Sequence, residues 1–211
     1  MILLPITTVA LGAPPADLFD GFAPGWRAHW QEQRLFSRPT HYEPVRDGEQ
    51  LVLHARSHAA NAGLLRELGL NAPNRAKLGW RWKIKDPLTA NRVERNRTGD
   101  DYAARVLVVF ETSVLPLQTR AINYVWSAHE PAGTVFASPY SAKVAMVVLR
   151  SGDREAGRWV SEERDVLADY RAFFGELPRE ISAVAVMVDT DNTGLAAEAW
   201  FADLRLDTTK P

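Results

Sequence analysis

Hydrophobic and polar positions alternate along this chain in short runs, separated by Pro, Gly, Asn and Asp, which is the pattern of strands joined by turns. Leu78–Ile84 alternates cleanly, with Leu78, Trp80, Trp82 and Ile84 on one face and Gly79, Arg81 and Lys83 on the other. Such a period-two run predicts a strand with one buried face. Tyr102–Phe110 is longer and rich in β-branched residues, with Arg105 its only charge. Ala121–Ser127 groups Ile122, Tyr124 and Trp126, leaving Asn123 and Ser127 opposite. Lys143–Arg150 and Ile181–Val188 are near-continuous apolar runs suited to the middle of a sandwich. Gln50–Ala55 reads as a strand before a turn at Ser57–Gly63, and Trp200–Leu206 as a closing strand.

One segment departs from this rhythm. Ser161 is a good N-cap, Glu162 and Glu163 suit a helix N-terminus, and Gly175 sits at the expected stop. Val166, Tyr170, Phe173 and Phe174 fall at helical spacing, so one amphipathic helix is expected at about 161–174. The fold class expected is all-β: a jelly-roll β-sandwich carrying one helix.

Composition narrows the function classes. With 25 basic and 26 acidic side chains the net charge is −1, which removes the basic field that nucleic acid requires. The absence of cysteine excludes disulfides, thiol nucleophiles, iron–sulfur clusters and Cys-based zinc sites. No apolar run approaches the ~20 residues of a membrane span. Residues 17–211 are expected to form a single sandwich domain, with 1–16 a flexible tail or the remnant of a signal peptide. Met1–Pro15 resembles the apolar core of a secretory signal, with Leu11-Gly12-Ala13 as a loose cleavage site, although no Lys or Arg precedes it and Pro5 lies inside it. A flexible tail or a first edge strand accounts for it equally, so a periplasmic or otherwise exported location is the expectation and a cytoplasmic one the alternative.

Several strings carry a family likeness: GWRWKI, TGDDYAARVLVVF, NYVWS, RSGDREAGRWVSEERDVLADYRAFFGELP, VMVDTDNTG and WFADLRL, in that order. Together they resemble the uncharacterised bacterial family DUF3047 from about Leu51 to Leu206, with a looser opening at Leu18–Trp26. More distantly, the opening Phe19-Asp20-Gly21-Phe22 with Gly25-Trp26, and the closing Trp200-Phe201 with Asp203 and Leu206, are similar to galactose-binding-type jelly rolls, which include many carbohydrate-binding modules. The resemblance implies a β-sandwich, commonly exported, and brings no established activity. Sugar binding enters by analogy of fold alone.

Candidate chemistry gathers in few places. Gly99-Asp100-Asp101-Tyr102 leads into the Arg105 strand, and its carboxylates could hold a hard cation, receive sugar hydroxyls, or close a turn through their own backbone. Asp189-Thr190-Asp191-Asn192-Thr193-Gly194 looks like a calcium loop but lacks the downstream Glu and the flanking helix of an EF-hand; a cleft rim or a polar hairpin turn fits as well. Arg81, Arg105 and Asn123, joined by Lys83 and Ser127, lie on the non-aromatic faces of three strands. If those strands are neighbours, they form a polar concave surface rimmed by Asp101 and the Asp189–Asn192 loop. A buried Arg105 needs a carboxylate, Asp101 or Asp189, and Arg105→Ala is expected to abolish binding in a folded protein.

Trp80, Trp82, Trp126 and Trp200 are expected mostly in the core, with Trp159 the best placed for exposure. His54 and His58 are four apart, a spacing that suits zinc on a helix, but they fall in a strand–turn segment where it does not apply, and His129 could serve as a base beside Tyr124. In galactose-binding-type jelly rolls a structural calcium often sits between the terminal segments, which by resemblance implies Asp20 and Asp203 as ligands. The reading these residues favour is a non-catalytic module for a saccharide or other polar ligand, contacted by Arg81, Asp101, Arg105, Asn123, Asp189, Asp191 and Asn192. The other two readings are a lyase- or hydrolase-like enzyme using the same cleft and a structural or assembly partner.

Overall fold

The computed structural model describes residues 16–34, 38–71, 73–110 and 119–208. The Met1–Pro15 segment discussed above lies outside them. In chain order the elements are β1 (Ala16–Asp17), β2 (Gln31–Arg34), β3 (His41–Asp47), β4 (Gln50–His58), β5 (Asn61–Asn71), β6 (Lys77–Ile84), β7 (Ala104–Phe110), β8 (Arg120–Ser127), β9 (Val135–Ser138), β10 (Ser141–Ser151), β11 (Val160–Asp165), α1 (Val166–Phe174), β12 (Glu180–Asp189) and β13 (Ala196–Asp207). Two sheets form a jelly-roll sandwich. The first runs β11-β6-β13-β4-β3 with β1 added on β13, and the second runs β2-β5-β12-β7-β8-β10-β9. Pairing is antiparallel except between β8 and β10.

The core lies between the sheets because each strand turns its apolar set inward. Leu78, Trp80, Trp82 and Ile84 of β6 meet Val106, Val108, Ile122, Tyr124, Trp126, Val184 and Val186 of the second sheet. Two aromatic pairs cross the layer: Trp80 on Tyr124 at 5.4 Å and Trp82 on Trp126 at 5.7 Å between ring centroids. In the second pair both indole N–H groups are satisfied, Trp82 Nε1 donating to Glu162 at 3.1 Å and Trp126 Nε1 to the Gly152 carbonyl at 3.0 Å, while Trp80 Nε1 is buried without a partner. Large rings so placed contribute both buried area and ring-edge geometry.

The helix starts later than the sequence suggests. Ser161–Asp165 is the end of β11, which pairs with β6 through Ser161 opposite Arg81 and Glu163 opposite Gly79. This ladder completes the edge of β6, and Asp165 takes over as the cap, its side chain accepting from Ala168 N at 3.0 Å. The far end is as expected, with Gly175 left-handed at φ 80° closing the helix. Val166 and Tyr170 bury its inner face against Phe110 at the end of the sandwich. The turn expected over Ser57–Gly63 is also shorter: β4 ends at His58, β5 begins at Asn61, and Ala59 makes the corner with φ 47°.

Candidate functional site

The alternation of β6, β7 and β8 assigns their polar side chains to the outward faces, as expected, but the strands belong to different sheets. Arg81 and Lys83 stand on the outer face of the first sheet, while Arg105, Asn123 and Ser127 stand on that of the second. The single polar surface expected of them is therefore not assembled. The segment between β6 and β7 carries the chain from one sheet to the other, and alternation specifies a face without specifying a sheet.

In the second sheet the polar residues are internal. Arg105 is 4% exposed, Asp189 2% and Asp101 0%. Of the two carboxylates considered for Arg105, Asp189 is its partner: Nε donates to Oδ1 at 2.8 Å and Nη2 to Oδ2 at 2.5 Å. Tyr102 N adds a third donor to Asp189 at 3.2 Å. Burial pushes the Asp189 carboxyl up to about 7, against the pull of Arg105 and helped by Asp101 and Asp100. Burial works against the Arg105 charge too, yet Asp189 and Asp100 hold that guanidinium above its ordinary value. Asp101 instead closes the β12–β13 loop, accepting from Asn192 N at 3.3 Å and Thr193 N at 2.7 Å. Asn123 is buried beside Leu107, and its Oδ1 has no hydrogen-bond partner.

At the rim, Asp191 accepts from Asn61 Nδ2 at 3.1 Å, and Asn192 Nδ2 donates to the Arg97 carbonyl and the Tyr140 hydroxyl, both at 2.7 Å. Asp101, Asp189 and Asp191 have ligand oxygens within 4.8 Å of one another and could hold a hard cation, though each already receives protein donors. Asp20 and Asp203, implied as calcium ligands, each engage an arginine. Asp20 binds Arg66 at 2.8 Å, whereas Asp203 binds Arg81 and accepts from Gln50 Nε2 at 3.0 Å. Tyr124 and His129 do not meet either: the Tyr124 hydroxyl donates to Asp169 at 2.7 Å at the helical end of the core, and His129 Nε2 lies 2.9 Å from the Thr89 carbonyl.

The outer face of the first sheet is built differently. Trp200 pairs with Lys83 on one side and with His54 on the other, so β6, β13 and β4 present these residues in one row. Lys83 Nζ stands 4.7 Å from the Trp200 ring and 5.1 Å from the Trp159 ring. His54 stacks on Trp200 at 4.7 Å with the ring planes nearly parallel, and its Nε2 lies 3.2 Å from Glu198 Oε2. Asp47 ties the row down, accepting from Lys83 Nζ at 2.5 Å and from Trp159 Nε1 at 2.7 Å. The sequence singles out Trp159 as the best placed for exposure and groups Trp200 with the core, yet both indoles are half-buried. The adjacency Trp200-Phe201 was the available signal, since neighbours on a strand face opposite ways and Phe201 is the one inside.

Arg81 connects this row to a cleft of about 350 Å³, since its guanidinium carbon lies 5.1 Å from the Trp159 ring and its side chain also lines the cleft. The cleft floor is Gly79, which has Glu163 as its register partner in β11 and Arg205 in β13. Such a surface can stack the apolar face of a ring on an indole and hydrogen-bond its polar groups beside it.

Comparison with known proteins gives a family and a fold. The sequence profile of the family described as "Protein of unknown function (DUF3047)" matches residues 28–205. Curated protein sequences contain no match. Among solved structures, a family 11 carbohydrate-binding module of a cellulosomal cellulase of Clostridium thermocellum is similar with a TM-score of 0.51 at 10% identity, covering 95% of this chain and 96% of that one. The xyloglucanase domain of NopAA, a type three effector from Sinorhizobium fredii, in complex with cellobiose, is similar with a TM-score of 0.51 at 9% identity, covering 85% of this chain and 93% of that one. At such identities the likeness is one of fold.

Proposed function

Starting from a chain that belongs to the DUF3047 family and folds as a carbohydrate-binding-module-like jelly roll, we propose that it is a non-catalytic saccharide-binding module whose ligand lies on the outer face of the first sheet. The observation that carries this reading is the position of Trp159: a half-buried indole, pinned through Nε1 by Asp47, beside Arg81 and an open polar cleft. An indole fixed in this way loses little freedom on stacking a sugar ring, and the Asp, Glu and Arg side chains beside it supply donors and acceptors for hydroxyls. The residues expected from the sequence divide accordingly. Arg81 is kept as a contact residue, whereas Arg105, Asp101 and Asp189 hold the fold together behind the opposite surface.

The fold likeness supports the same direction, since one similar structure is described as a carbohydrate-binding module and another as a domain in complex with cellobiose. A thermal-melt panel of neutral and acidic oligosaccharides tests the proposal. A ligand at 100 times its Kd adds about 2.7 kcal/mol of stability, so an upward shift that disappears in Trp159→Ala is expected. A flat panel, or a shift unchanged in that variant, overturns it.

A further inference from the structure

We propose that the saccharide recognised here is an acidic one, carrying a carboxylate that the Gly79 cleft receives on Arg205. The inference rests on the saccharide reading above and specifies its substrate class.

Gly79 makes the cleft possible. A Cβ at that position would have only the Glu162 carbonyl oxygen near it, at 3.8 Å, so the floor is open where any other residue would project. The walls are charged, with four cations (Arg75, Lys77, Arg81 and Arg205) against three carboxylates (Glu163, Asp203 and Asp207). Asp203 serves two of those cations as well as Gln50. Arg205 gets little from this sharing: among the described residues it donates one hydrogen bond, to Asp203 at 3.4 Å, from a side chain 52% exposed. Arg75 reaches Asp207 at the same 3.4 Å. A guanidinium has five N–H donors in a fork that matches a carboxylate, so both arginines retain capacity toward the cleft.

This imbalance favours one ligand class. A neutral ring laid on the floor would remove water from guanidinium groups that the three carboxylates only partly compensate, and burying an incompletely paired cation is costly. A ligand carboxylate supplies the missing anion and binds bidentately. The ion pairs already present lie at the surface, partly exposed, where such pairs are worth about 0–1 kcal/mol, so rearranging them around a ligand costs little. Glu163, which accepts from Lys77 Nζ at 2.7 Å and keeps further acceptor capacity, and Ser161, both on the β11 side, can meet ring hydroxyls, and Trp159 the apolar face of an adjoining residue.

The test is calorimetric titration of the full chain at about 0.15 M salt, where long-range attraction is screened. The probes are a galacturonic acid oligomer, its methyl ester, a neutral galactose oligomer of equal length, and polyglutamate. The acid is expected to bind about tenfold or more tightly than the ester, with Arg205→Gln and Arg75→Gln each weakening the acid while leaving the ester and the melting temperature nearly unchanged. If the ester or the neutral oligomer binds as well as the acid, the acidic class is wrong and the saccharide reading stands. If polyglutamate matches the acid, charge alone is being read and the inference fails. Silence with every probe overturns the inference, and the saccharide reading then stands or falls on the wider melt panel with Trp159→Ala.

Discussion

Arg105 Nε donates to Asp189 Oδ1 at 2.8 Å across the neighbouring strands β7 and β12, with both side chains almost fully buried. Removing Arg105 leaves Asp189 buried without its cation, so Arg105→Ala should cost about 3–5 kcal/mol in urea unfolding. Asp189→Ala should cost less, because Asp100 still faces the guanidinium at 3.7 Å, and the double variant less than the sum of the two, because they share one contact. This reverses the expectation from the sequence, in which Arg105→Ala loses its ligand and keeps its fold. A variant of unchanged stability would remove the pair from the structural account.

The tryptophans should separate into two groups. Trp82 has no exposed surface, and Trp82→Ala should lose about 3–5 kcal/mol, enough to threaten folding. Trp159→Ala should cost about 1 kcal/mol, through its bond to Asp47, and abolish saccharide binding. Denaturation and titration of both proteins check the contrast.

Gly79→Val should separate stability from binding in the opposite sense. The new side chain meets open space and suits a strand, so stability should stay level or rise by up to about 1 kcal/mol. The same side chain fills the cleft floor, and the affinity for saccharide should fall by at least about tenfold on titration.

Asp47 ties the Trp159 row to pH. Hydrogen bonds from Lys83 and then Trp159 hold its carboxyl below the ordinary value of 3.8. A depressed carboxyl contributes stability that is present above 3.8 and lost as the pH falls through its folded value. Acidification below 3.8 should therefore release Lys83 and Trp159 and change the indole emission. The change should be absent in Asp47→Asn and in Trp159→Phe, as a fluorescence titration would show.

Much of the scaffold was legible because a strand with one buried face announces itself. β6 alternates so strictly that its four inward residues and its outward Arg81 and Lys83 could be read directly. β5 escaped notice because Gly63 and Gly69 interrupt its pattern, and β11 because its charged residues also fit a helix start. The site was harder for a topological reason. Arg81 and Arg105 look equivalent along the sequence, each an arginine on the non-aromatic side of a strand, but the chain changes sheets between them. One became a surface contact and the other an internal ion pair. Trp159 and Lys83, far apart in sequence, come into one row only when β11 docks on β6.

The first described strand has a consequence for how the domain can be rearranged. Ala16 and Asp17 of β1 pair with Leu206 and Arg205 near the end of β13, so both ends of the fold lie at one place on one sheet. A short peptide could join them at an entropic cost that grows only with the logarithm of its length. New ends could then be opened at an exposed corner such as Gly133, on the opposite sheet from the Trp159 row. A circularly permuted protein made in this way should keep both sheets and the Trp159 row, and the same proximity suits the domain to insertion as a unit within a loop of a host protein.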